Sequence, residues 1–313
     1  MTQIAIIGTG VIGTGWCARL IANGHKVKAW DPAKNFGDRL QSEMKRLWPI
    51  LKKSGMTEGS SILNLSICTT LAEACVEADL IQESVPEDIE IKKTIHHEID
   101  SVSRQQALIV SSSSGLLPSE IQSDLSHPER FVIGHPFNPV YILPLVEVVG
   151  GSKTSTKTIK DVKDFYKSMG MYPLEVRKEI EGYLSDRLQE AQWREILHLV
   201  KDGVANTQEL DDAIIYGPGL RWAMMGTCLT FHLAGGEAGM RHMLEQFGPA
   251  LKLPWTKLEA PELTEDLIER LVEGTQLQAG DKTIDELGEL RDSCLIEIIQ
   301  ALKKYQIGAG RLL

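Results

Sequence analysis

Two polar residues twelve positions apart, His135 and Glu147, carry the clearest chemical suggestion in this 313-residue chain. An imidazole whose second nitrogen is held by a buried carboxylate is a sound general base, because the carboxylate fixes the tautomer and raises the basicity of the ring. His135 falls just beyond an expected strand, in a loop braced by Pro136 and Pro139, and Glu147 lies on the next expected strand. A hairpin-like return would bring the two together. Ser114, at the end of the run Ser111–Ser114, offers a hydroxyl to a reacting oxygen. On residue type alone, a capping histidine and a strand-edge charge remain the alternative reading.

A second constellation opens the chain. Gly8, Gly10 and Gly13 form a G-x-G-x-x-G match directly after the apolar run Ile4–Ile7 and before a helical pattern. In that context Gly8 permits the tight turn, Gly10 lets the backbone approach a pyrophosphate, and Gly13 allows close helix–sheet packing. The helix N-terminus then favours the phosphates. Asp31 ends the next expected strand and is suited to accept hydrogen bonds from ribose hydroxyls. A carboxylate there repels a 2′-phosphate, so the cofactor expected is NAD rather than NADP.

These residues need elements to hold them. Strands are expected at Ile4–Ile7, Lys26–Trp30, Leu65–Thr69, Leu80–Ser84, Leu108–Ser111, Phe131–Gly134 and Leu145–Val149, with helical segments between most of them. That alternation predicts a Rossmann-type, doubly wound, mostly parallel sheet. After about residue 180 strand patterning stops. Helices are expected at 183–202, 207–216, 223–233, 262–275 and 284–305. The α/β fold is therefore expected to comprise a dinucleotide-binding domain over 1–180 and an all-helical substrate and dimerisation domain over 181–313.

Composition narrows the function classes. With 33 Lys and Arg against 43 Asp and Glu the net charge is −10, a poor footprint for nucleic acid or an anionic membrane. The glycine-broken N-terminus lacks a basic leader, no apolar run reaches the ~18 residues of a membrane span, and the five cysteines contain no C-x-x-C pair. The expectation is a soluble cytoplasmic protein that binds a small molecule, with no nucleic-acid or membrane partner. No metal-ligand spacing occurs; His96 and His97 are adjacent and point to different helix faces.

The glycine motif, Asp31, the VPED segment 85–88, the serine run and GHPFNP at 134–139, in this order, resemble the 3-hydroxyacyl-CoA dehydrogenase family. The resemblance covers almost the whole chain. It implies a catalytic pair at His135 and Glu147, a substrate-binding serine at Ser114 and a nicotinamide-contacting Asn138. It further implies that Glu87 and Lys92 contact the cofactor, and that the chain is a homodimer. Where the family has an asparagine early in the first helix of the second domain, this chain has Asp186. The stretches at 134–151, 217–240 and 247–264 resemble the branch acting on a carnitine-like 3-hydroxy acid, with a carboxylate at one end and a quaternary ammonium at the other. For such a substrate Asp186 would complement the cation, Trp222 and Phe231 (and Tyr183 or Trp193) would offer aromatic faces, and Arg221 would take the carboxylate. Branches acting on gulonate or 3-hydroxyacyl-CoA, and non-catalytic crystallin-like NAD-binding proteins, are the competing readings.

Overall fold

The computed structural model describes residues 2–223, 225–235, 237, 239–257, 262, 264–269, 272 and 280–312. The chain divides into two compact units, the first running to Asp186 and the second from Arg187 to Arg311.

Eight strands form one sheet in the first unit: β1 (Gln3–Ile7), β2 (Lys26–Trp30), β3 (Leu65–Ile67), β4 (Leu80–Glu83), β5 (Leu108–Ser111), β6 (Phe131–Pro136), β7 (Leu145–Val149) and β8 (Tyr172–Val176). Their order is β3-β2-β1-β4-β5-β6-β7-β8, parallel throughout except where β7 runs antiparallel to β6. Successive side chains of β1 serve two cores. Ile4 and Ile6 pack with Trp16, Leu20 and Met44 on one face, and Ala5 and Ile7 with Leu71, Ile99 and Ile109 on the other. Burial on both faces is why β1 reads as a continuous apolar run from Ile4 to Ile7.

The helices covering the sheet are α1 (Val11–Ala22), α2 (Phe36–Ser54), α3 (Leu71–Cys75), α4 (Ile89–Val102), α5 (Pro118–Ile121) and α6 (Thr156–Ser168). Their starts are legible in sequence: Thr70, Asp88 and Ser155 each accept a backbone N–H from the first turn of α3, α4 and α6. Strand β8 is not anticipated by patterning, because Pro173 and Glu175 interrupt its apolar residues. It survives at the sheet's edge, where proline's missing N–H costs no ladder bond.

In the second unit the regular elements among the described residues are helical: α7 (Ser185–Lys201, which begins in the first unit), α8 (Thr207–Ile215), α9 (Pro218–Trp222), α10 (Thr227–Ala234), α11 (Gly239–Phe247) and α12 (Ile284–Tyr305). Capping boxes at Asn206/Glu209 and Thr283/Glu286 start α8 and α12. The helix expected over 223–233 is α10, which starts later because Gly226 is its N-cap; α9, with Pro218 in its first turn, lies before the expected span and was not anticipated. Of the helix expected over 262–275, residues 263, 270, 271 and 273–275 lie outside the described residues. No described helix is long and apolar enough to cross a membrane. Cys17, Cys68 and Cys75 are buried, Cys228 and Cys294 are exposed, and all five are free thiols.

Candidate active site

The order reversal between β1 and β4 sets the location. Parallel strands end at a common edge, and ligands of open α/β sheets bind where neighbouring connections diverge. The Gly8–Gly13 turn follows β1, Asp31 follows β2, Glu87 follows β4, the Ser113–Gly115 turn follows β5, and His135 lies at the end of β6.

At the glycine turn each residue has a separate physical reason. Gly8 sits at φ +91°, and a Cβ there would meet the Ser84 carbonyl oxygen at 2.6 Å. A Cβ on Gly13 would come within 1.9 Å of the Gly8 oxygen. At Gly10 a Cβ would meet nothing within 4 Å, and no side chain caps the N-terminus of α1. The turn thus presents bare backbone on the side from which a diphosphate approaches a helix N-terminus, which fits a dinucleotide. Asp31 Oδ2 accepts from the Thr9 N–H at 2.7 Å and the Thr9 hydroxyl at 3.0 Å, and Oδ1 accepts from the Ala33 N–H at 2.8 Å. Beside it lies a cleft of about 630 Å³ lined by Trp30, Asp31, Phe36, Ile67 and Thr69, among others. Arg39 on α2 donates to the Thr9 carbonyl at 3.1 Å, tying the same turn from outside.

The histidine and the carboxylate meet across the antiparallel pair. β6 continues through Pro136, so His135 is a strand residue rather than a loop residue, and it stands directly opposite Glu147 on β7. Opposed residues of an antiparallel pair project to the same face. His135 Nδ1 lies 3.0 Å from Glu147 Oε2. Glu147 is fully buried, and its Oε1 accepts the Leu184 N–H (3.1 Å), the Ser185 N–H (3.0 Å) and the Ser185 hydroxyl (3.2 Å). Burial alone would raise this carboxyl's pKa. The His135 hydrogen bond, the Ser185 N–H, the imidazole's charge and the Leu184 N–H outweigh it and hold the pKa below the usual carboxylate value. With Nδ1 facing a carboxylate, Nδ1 is the nitrogen that carries a proton, and Nε2 is the one left to face a substrate. Asp186 Oδ2 lies 3.8 Å from that Nε2. The imidazole packs against Phe137 and Tyr183, with ring centroids 4.9 and 5.6 Å away.

Sequence reading missed the residue that braces this hairpin. Arg19 on α1 is buried, has no carboxylate partner among the described residues, and donates to the carbonyls of Val140, Ile142, Leu143 and Met169. Gly15, one turn earlier, lets the helix approach Val140, which a Cβ would meet at 2.9 Å. The return from β6 to β7 is thereby pinned to the helix that starts at the glycine turn. A buried arginine satisfied by carbonyls alone leaves no motif to find.

Ser114 stands in a turn organised by Glu87, whose Oε1 accepts the Ser113 hydroxyl (2.5 Å), the Ser114 N–H (2.9 Å) and the Gly115 N–H (3.0 Å). Lys92 is 1% exposed, and its ammonium faces inward to Glu83 and the Val85 carbonyl, with Glu87 Oε2 at 3.5 Å. Asn138 is exposed just past β6. Tyr183, one of the aromatics considered for an ammonium, is fully buried, and its hydroxyl donates to the Leu116 carbonyl. Arg221, Trp222 and Phe231 belong to the second unit; Arg221 and Trp222 are on α9 and Phe231 on α10, all exposed. No group of three or more His, Cys, Asp or Glu among the described residues is arranged to hold a metal ion.

Comparison with known proteins agrees with this geometry. Residues 3–180 match the model of the 3-hydroxyacyl-CoA dehydrogenase NAD binding domain, and residues 182–280 match the C-terminal domain of the same enzymes. The chain is 55% identical over 308 residues to an L-carnitine dehydrogenase of Bacillus cereus, covering 98% of this chain and 94% of the relative. An L-carnitine dehydrogenase of Pseudomonas aeruginosa is 53% identical over 306 residues, covering 98% and 95%. Among solved structures, a 5-formyl-3-hydroxy-2-methylpyridine 4-carboxylic acid 5-dehydrogenase, described as an NAD+-dependent dismutase, superimposes with a TM-score of 0.81. It is 26% identical, with 97% of this chain and 99% of that one covered. The glycine turn, the strand order and the full-length match leave one conclusion: this chain belongs to the 3-hydroxyacyl-CoA dehydrogenase family and is an NAD-dependent oxidoreductase acting on a CH–OH group.

Proposed function

We propose that the protein oxidises the 3-hydroxyl of L-carnitine to 3-dehydrocarnitine, with His135 and Glu147 as the general-base pair. When bound, NAD+ supplies the acceptor for the hydride lost from C3. His135 Nε2 takes the hydroxyl proton as the C–O bond becomes a carbonyl, so one proton and one hydride leave the substrate together. Glu147 stabilises the imidazolium that forms and keeps the ring in the productive tautomer. Gly8, Gly10 and Gly13 shape the diphosphate turn, Asp31 receives the ribose, and Glu87 and Asn138 bound the nicotinamide side, while Lys92, expected from sequence to touch the cofactor, is buried against Glu83 and acts through Glu87. Ser114 orients the reacting oxygen.

The observation that carries the reading is the imidazole hydrogen-bonded at Nδ1 to Glu147, with the Asp186 carboxylate 3.8 Å from Nε2. A substrate whose hydroxyl approaches Nε2 brings any nearby cation within reach of Asp186. In carnitine the ammonium lies one methylene from the carbon that loses hydride. Identity of 51–55% to L-carnitine dehydrogenases over nearly the full length supports the same substrate. The test is NADH formation with L-carnitine, gulonate and a 3-hydroxyacyl-CoA offered separately. Turnover with L-carnitine alone is the expected result; preference for either of the others overturns the assignment.

A further inference from the structure

At the end of β4, Glu83 is fully buried yet collects four donor groups through five contacts. Lys92 Nζ lies 2.9 and 3.1 Å from its two oxygens, the Ser111 hydroxyl at 2.5 Å, the Val85 N–H at 2.5 Å and His96 Nε2 at 2.9 Å. A buried ion pair is a weak source of stability, since desolvation consumes most of its attraction and an apolar pair of similar volume often serves as well. What it adds over an apolar pair is direction. Lys92 is almost fully buried, so its ammonium cannot reorient into water. Its position, set by Glu83 and the Val85 carbonyl, holds it 3.5 Å from Glu87 Oε2. Glu87 is 39% exposed and would otherwise be a solvated, mobile side chain. Its other oxygen receives the Ser113 hydroxyl and the N–H groups of Ser114 and Gly115.

We propose that Glu83 is a positioning residue for the substrate side of the reaction: it fixes Lys92, Lys92 fixes Glu87, and Glu87 fixes the turn that presents the Ser114 hydroxyl. Every link is a named contact inside the first unit. The relay rests on the proposed role of Ser114, and its influence passes through the backbone at 113–115 rather than through the reacting atoms. Residues in one such network couple non-additively.

The test is a double-mutant cycle on the full chain, read as kcat/KM for the substrate at saturating NAD, with NAD+ affinity and melting temperature measured alongside. Glu83→Gln combined with Lys92→Met removes both charges together, so no lone buried charge remains to unfold the protein. Expected is a loss of about tenfold in kcat/KM with melting nearly unchanged. Placed on Ser114→Ala, the same pair of substitutions costs less than about twofold more. Glu87→Ala, which leaves the buried pair intact, gives the same pattern. Equal losses with and without the Ser114 hydroxyl overturn the relay while leaving the catalytic reading standing. A double variant that does not fold also overturns it, because the pair is then structural. Ser114→Ala with undiminished turnover removes the Ser114 reading itself, and the relay with it.

Discussion

Glu147→Gln, the most conservative change available at the general-base pair, is expected to be more damaging than Glu147→Ala. The carboxylate divides its two oxygens between unlike tasks. Oε2 faces one donor, His135 Nδ1, while Oε1 faces the Leu184 N–H, the Ser185 N–H and the Ser185 hydroxyl. Glutamine has one oxygen and one NH2 for these two sides. Turning its NH2 toward residues 184–185 would oppose two fixed backbone donors, each left buried without an acceptor at ~1–3 kcal/mol. The amide therefore settles with its oxygen toward Ser185 and its NH2 toward His135. Nδ1 must then accept, the proton moves to Nε2, and the nitrogen that should take the hydroxyl proton is occupied. Holding a catalytic histidine in the wrong tautomer costs about 10⁴-fold in kcat. Glu147→Ala removes the orienting group without imposing the wrong tautomer, and the ordinary loss of assisted base catalysis, about 10²-fold, applies. The assay is steady-state NADH formation for both variants, with NAD+ affinity measured separately and the His135 tautomer read from its ring-nitrogen NMR shifts. NAD+ affinity should change little, because Glu147 lies on β7, away from the glycine turn. A glutamine variant more active than the alanine variant, or an Nδ1–H tautomer in it, would refute the reasoning.

Three further outcomes are expected. Asp186→Asn should raise KM for L-carnitine by about tenfold while leaving an uncharged short 3-hydroxy acid such as 3-hydroxybutyrate nearly unaffected; a carboxylate–ammonium contact at ~4 Å gives ~4 kcal/mol at an effective dielectric of 20, and the 30% exposure of Asp186 reduces this to roughly 1–2 kcal/mol. Equal losses for both substrates would mean that the charge is not used for recognition. Asp31→Ala should weaken NAD+ binding and narrow the preference for NAD over NADP, since it removes both the ribose acceptor and the Thr9 tether; titrations with the two cofactors decide it, and an unchanged preference contradicts the assignment. Acid should destabilise the first unit through Glu83: burial would raise its pKa, but the Lys92 charge, the His96 contact and Ser111 bring it down to about 2 from 4.5. A depressed carboxyl contributes stability that is full above 4.5 and is lost as pH falls toward 2, so melting should decline over that window less steeply in the Glu83→Gln, Lys92→Met double variant.

The sequence alone determined the elements and the residue types of the site. Strand β1, the glycines, the helix that follows and Asp31 are consecutive or nearly so, and a local turn needs only local information. The limits of β5 and β7 are visible for the same reason, β5 being apolar up to Ser111 and β7 apolar apart from Glu147, and the starts of α4 and α12 follow from Asp88 and the Thr283/Glu286 capping box. His135 and Glu147 were legible as a pair that a hairpin-like return could close, but their register was not, because register depends on where β6 ends. Two more residues of strand, His135 and Pro136, convert a loop histidine into one that stands across from Glu147. The tertiary structure alone revealed what surrounds them. Arg19 meets Val140 across 121 positions, the Leu184 N–H meets Glu147 across 37, and Gly115 meets Glu87 across 28. Each contact joins a backbone group to a side chain distant in sequence, and backbone groups are identical at every residue, so no residue type marks the partner. The same holds for β8, whose Pro173 argues against a strand until its place at the sheet's edge makes the missing N–H harmless.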